Sequence, residues 1–87
     1  MSMKLMNEEV DRNFDAFLDK LTSLLPTHSG QYALMRNGEI DDFFESDIEA
    51  LTAGRLRFSD SLFSIQEITD RPVDLGFFSH AINTRIA

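Results

Sequence analysis

The chain has no cysteine and no tryptophan, only two prolines and four glycines, and eight basic residues against fifteen acidic ones. Without cysteine, a disulfide framework and a thiolate metal site are both excluded. Without a basic excess there is no face to neutralise a phosphate backbone, which argues against nucleic acid as a partner. Anionic membrane surfaces are disfavoured for the same reason. No apolar run approaches the roughly 18 residues of a membrane span. Residues Met1 to Met6 pass straight into Asn7-Glu8-Glu9. They lack the apolar stretch of a secretory signal, so a cytoplasmic location is the default expectation.

What remains is enough for one domain spanning residues 1–87. An apolar fraction of 43% supports a packed core, and eight phenylalanines beside one tyrosine make Phe its main large side chain. A domain this small buries only roughly 60% of its unfolded surface. Small domains with neither disulfide nor metal often gain stability by oligomerising, so a homodimer stands beside another protein as an expected partner. The net charge of −7 is concentrated in residues 31–60, which carry seven acids and three bases. Its simplest role is solubility.

Residues 6–25 predict an amphipathic helix. Met6, Val10, Phe14, Phe17, Leu18, Leu21, Leu24 and Leu25 fall at spacings of three and four, with Glu9, Asp11, Asn13, Asp15, Asp19 and Lys20 opposite. Pro26 is expected to stop it. Strands are expected at 31–36 and 39–45, joined by Asn37-Gly38, the dipeptide that best tolerates the two positive φ angles of a type I′ turn. An unbroken register sets Met35 against Ile40, Leu34 against Asp41, Ala33 against Asp42 and Tyr32 against Phe43. The Met35/Ile40/Phe44 face then lies under the helices. The Tyr32/Leu34/Phe43 face is left partly apolar and partly exposed.

Ser46-Asp47-Ile48-Glu49 has the capping-box pattern and opens a second helix over 47–57. Ile48, Leu51 and Arg55 or Leu56 are expected on its inner side, with Gly54 a candidate cap. Residues 62–69 predict a third strand. Residues 73–83 form an apolar tail without a clean period. The expected fold is α+β, in the order α-β-β-α-β, with a three-stranded antiparallel sheet ordered 2-1-3 and a C-terminal tail.

The run Gly30-x-Tyr32-Ala33-Leu34-x-Arg36-x-Gly38-Glu39-Ile40, followed by Phe43-Phe44-x-Ser46, Glu49-Ala50-Leu51-x-x-Gly54 and Phe63-x-Ile65, resembles a group of short uncharacterised bacterial domains. In that group a hairpin, a helix and a closing strand make a ββαβ unit. The resemblance covers about residues 30–69, and implies this fold and no catalytic residue.

Chemistry-bearing patterns are sparse. Asp41, Asp42, Glu45, Asp47 and Glu49 crowd together, but their spacing is not that of a calcium loop, and acids suit a helix N-terminus in any case. His28 and His80 have no near carboxylate pattern for zinc. No G-x-S-x-G and no phosphate-binding glycine loop occurs. No catalytic residue, cofactor or metal site is assigned, and a small hydrolase or metal-dependent enzyme is the least favoured reading. The favoured one is a non-enzymatic protein-interaction or assembly module, with an acidic regulator that occupies a basic partner as the alternative. Its candidate surface joins Tyr32, Leu34 and Phe43 to the tail residues Val73, Leu75, Phe77, Phe78 and Ile82, since an apolar patch on a small domain usually marks an interface.

Overall fold

The computed structural model describes residues 3–72, which fold as α1 (Met3–His28), β1 (Tyr32–Arg36), β2 (Glu39–Phe44), α2 (Asp47–Arg57) and β3 (Ser64–Glu67). The three strands form one sheet in the order β2-β1-β3, with β1 antiparallel to both neighbours. This is the α+β arrangement expected from the sequence. Ala33 and Met35 pack with Phe17, Leu24 and Ile68 on the α1 side. Leu34 and Ile65 pack with Ala50, Leu51 and Phe63 on the α2 side. Alternate residues of β1 thus face different helices, and the sheet lies between α1 and α2. Among the described residues, no helix is long and apolar enough to cross a membrane.

The hairpin turn has φ of 56° at Asn37 and 80° at Gly38, as type I′ requires. Arg36 opposes Glu39 and Met35 opposes Ile40. Beyond that pair the expected register is wrong by one residue. A bulge leaves Asp41 unpaired, so Leu34 opposes Asp42, Ala33 opposes Phe43 and Tyr32 opposes Phe44. A one-residue slip exchanges the faces of every residue beyond it. Phe43 therefore joins the α1 side and Phe44 the α2 side, the reverse of expectation. The unbulged register would have set Asp42 against Ala33, within the core beneath α1.

Both helices also differ from expectation. α1 continues past Pro26 to His28. Proline removes one donor, here to the Thr22 carbonyl, but Thr22 is exposed and water can replace it. The helix ends where Gly30, at φ 89°, turns the chain. Its buried line runs through Met6, Glu9, Val10, Asn13, Phe17 and Leu24, while Leu18 is exposed. In α2, Ser46 accepts from the Glu49 amide as expected, but the inner face is Ala50, Leu51 and Gly54. Ile48 and Leu56 point outward. Gly54 is no cap: it sits inside the helix, where an added Cβ would stand 2.6 Å from the Phe63 ring.

The polar residues inside the α1 stripe form one connected network. Glu9 Oε2 accepts from the Asn37 amide at 2.7 Å and from Asn13 Nδ2 at 3.0 Å. Asn13 Oδ1 accepts from the Gly38 amide at 2.6 Å, and Asn13 Nδ2 also approaches the Met35 carbonyl and Ser64 Oγ. Arg12 donates to Glu9 and to Asn37 Oδ1, and its aliphatic stem lies against Gly38. The Arg12–Glu9 ion pair, at 3.2 Å, spans three residues of the same helix.

Substitutions at two positions test this packing. Asn13→Ala leaves four partners, three of them buried, short of hydrogen bonds and is expected to cost about 2–4 kcal/mol of unfolding free energy in a denaturant titration. Asn13→Asp, which sets a second carboxylate beside Glu9, should not rescue it. Gly54→Ala gains up to about 1 kcal/mol of helix propensity. It must displace the buried Phe63 ring, however, and a net loss of about 1–3 kcal/mol is expected.

Candidate interaction surface

The outward side of α2 and the edge strand β2 border a shallow, open apolar groove of about 500 Å³, lined by Phe43, Phe44, Ile48, Glu49, Thr52, Ala53 and Leu56. Its origin lies in the packing of α2. Because Ala50 and Gly54 are small, the helix sits close to the sheet on a narrow line of contact. Ile48, Thr52 and Leu56, spaced four apart, form a separate stripe on the outside. Ile48 is 57% exposed and Leu56 81% exposed.

A set of ion pairs adjoins the groove at Phe44. Arg57 binds Asp41 at 2.6 Å and Asp42 at 3.1 Å, and its guanidinium lies 5.6 Å from the centre of the Phe44 ring. The bulge makes this possible, because it brings both aspartates to the same arginine. The Phe43 backbone N–H and then Arg57 hold the Asp42 carboxyl below its ordinary pKa. At the far end of the sheet, Arg36 grips Asp60 through two nitrogens, at 2.6 and 3.0 Å, and donates to the Leu62 carbonyl. The Asp60 carboxyl is lowered by that contact and by the Leu62 amide. Burial, followed by Glu67 and Asp47, raises the Tyr32 hydroxyl.

The residues singled out from the sequence are dispersed. Leu34 is fully buried beneath α2 and presents no surface. Tyr32 packs beside it, half-buried. Phe43 lies on the opposite side of the sheet, its ring stacked on His28 at 3.8 Å, although it also borders the groove. The face expected to be open is thus covered by α2. Val73, Leu75, Phe77, Phe78 and Ile82 lie outside the described residues. Ile48 and Leu56 were missed as surface residues because their spacing had assigned them to the core. The signal was the Ala50/Gly54 pair, which marks a closer-packed face.

The crowded acids have separate duties. Asp41 and Asp42 bind Arg57, Glu45 accepts from Gln31 at 2.5 Å, and Asp47 and Glu49 occupy the first turn of α2. His28 Nδ1 meets Gln31 Oε1 at 2.7 Å, while His80 lies outside the described residues. Among the described residues, no group of three or more histidines and carboxylates is placed to hold a metal ion. No family model, curated protein or solved structure matches the chain.

The lowered carboxyls set a pH dependence. A group whose folded pKa is depressed stabilises the fold above its unfolded value and loses that contribution as pH falls through the folded one. The urea midpoint is expected to hold steady above about pH 5 and then fall as Asp42 and Asp60 protonate, below their ordinary value of 3.8. Asp42→Asn combined with Asp60→Asn should flatten that decline.

Proposed function

We propose that this protein is a non-enzymatic interaction and assembly module whose working surface is the groove between β2 and α2. Its occupant is a peptide segment bearing aromatic and aliphatic side chains. The observation that carries this reading is the exposure of Ile48 and Leu56 above Phe44, on a helix whose attachment to the sheet uses a different face. Large apolar side chains that the fold does not bury gain by being covered, at roughly 25 cal/mol per Å² removed from water. A recess flanked by a helix and an edge strand suits an extended or helical segment.

The same reading takes the protein as cytoplasmic and leaves nucleic acid and membranes outside its partners. Arg12, Arg36 and Arg57 are each engaged with a carboxylate of the chain itself, so they contribute little to an anion-binding face. The acidic stretch is likewise engaged by Arg57 and the start of α2. That favours the groove over the charge as the basis of recognition.

Selection of displayed random peptides on the immobilised full chain carrying Phe77→Ser and Phe78→Ser, which removes the aromatic side chains of its own C-terminal segment as competitors, tests the assignment. Enriched sequences are expected to be aromatic and aliphatic. Ile48→Asp with Leu56→Asp should weaken their binding at least tenfold while leaving the thermal midpoint within a few degrees. Binding indifferent to both substitutions would remove the groove from the account.

A further inference from the structure

We infer that the occupant of this groove is the chain's own segment Val73–Ile82, docked on the same molecule. The inference rests on the functional reading of the groove and names what fills it. The first support is where the described chain ends. Glu67, Tyr32 and Phe44 form one row across the sheet, since Tyr32 opposes Glu67 on one side and Phe44 on the other. Ile68 stays beside the start of β1, its amide donating to the Gln31 carbonyl and its carbonyl accepting from Gly30. β3 therefore delivers the chain to the end of the sheet where Phe44 and the first turn of α2 open the groove.

Distances agree. Two strand spacings separate Glu67 from Phe44, about 10 Å. Six residues lead from Glu67 to Val73 and span up to about 20 Å when extended, enough to cross the end of the sheet. From Ile48 to Leu56 the helix rises about 12 Å. Four residue steps of extended chain, Val73 to Phe77, cover about 13 Å.

Side-chain chemistry agrees as well. Val73, Leu75 and Phe77 alternate with Asp74 and Gly76, so an extended segment sets its three apolar residues on one side and its acid on the other. Phe78 and Ile82 extend the apolar supply. Attachment through a short linker raises the local concentration of the segment to about the millimolar range, which favours the same molecule over a second copy in dilute solution.

The absence of native cysteine makes the test direct. In the full chain, Thr52→Cys in the groove is combined with Leu75→Cys, and a control combines Leu75→Cys with Asp15→Cys on the exposed side of α1. Under mild oxidation at micromolar protein, the Thr52/Leu75 pair is expected to close within one molecule at least tenfold faster than the control. Intact mass and non-reducing electrophoresis provide the readout. Adding Phe77→Ser and Phe78→Ser should bring its rate down to that of the control.

Equal rates for the two pairs, or a fast rate that survives loss of both phenylalanines, would overturn docking. Disulfide-linked dimers in place of the internal bond would overturn occupancy by the same molecule in favour of a second copy. Failure of the cross-link, with displayed peptides still bound through Ile48 and Leu56, would refute this occupant and leave the groove's function standing.

Discussion

Capture of two turn amides by two side chains of α1 holds the protein together. A type I′ turn directs the N–H groups of its central residues away from the ladder, and a hydrogen bond from such an amide contributes roughly 0.5–1.5 kcal/mol to a neutral acceptor and about 1.5–3 kcal/mol to a charged one. Glu9 takes the Asn37 amide and Asn13 takes the Gly38 amide. Asn13 then reaches the Met35 carbonyl in β1 and Ser64 in β3. One helix position is therefore bonded to the turn, to the central strand β1 and to β3. Glu9 is only 5% exposed, and burying its charge is tolerable because Arg12, Asn13 and Asn37 all donate to it. Apolar packing alone would let α1 slide along the sheet, whereas a fully satisfied polar network admits one placement.

The other side of the sheet is held differently, and its function follows from the difference. α2 is joined by small residues and the Phe63 ring, without a comparable polar network among its buried residues. Close approach at Ala50 and Gly54 takes only a narrow face of the helix. The remaining apolar stripe lies beside the edge strand β2, where a bulge and the Arg57 contacts interrupt simple strand pairing. An edge guarded against indiscriminate pairing, next to an uncovered apolar stripe, favours a side-chain-specific occupant.

Much of the fold was legible because its signals are local. Asn37-Gly38 names its own turn, Ser46 names the start of α2, and periodicity finds both helices and three strands. The sheet order follows from antiparallel pairing about a central β1. What escaped depends on tertiary context. Asn13 lies only about 20° from the line through Met6 and Leu24 on a helical wheel. Its polarity nevertheless assigned it to solvent, because its partners outside α1 stand 22 to 51 residues away. The bulge at Asp41 has no glycine to announce it and is favoured by what Arg57 and the α1 core do to Asp42 and Phe43. Gly54 resembles a helix stop until Phe63 is seen against it. The groove was hidden with it, since placing Ile48 and Leu56 outside requires knowing that Gly54 faces in.

Amide hydrogen exchange at Asn37 and Gly38 in the intact protein measures the central interaction directly. These are turn residues, and Asn37 is exposed, so an unsupported hairpin would exchange them as fast as an open loop. With Glu9 and Asn13 as their acceptors, both amides are expected to exchange as slowly as those of Leu34 and Met35 in the central strand, by opening of the whole fold. Exchange at loop-like rates, with the β1 amides still protected, would contradict the account.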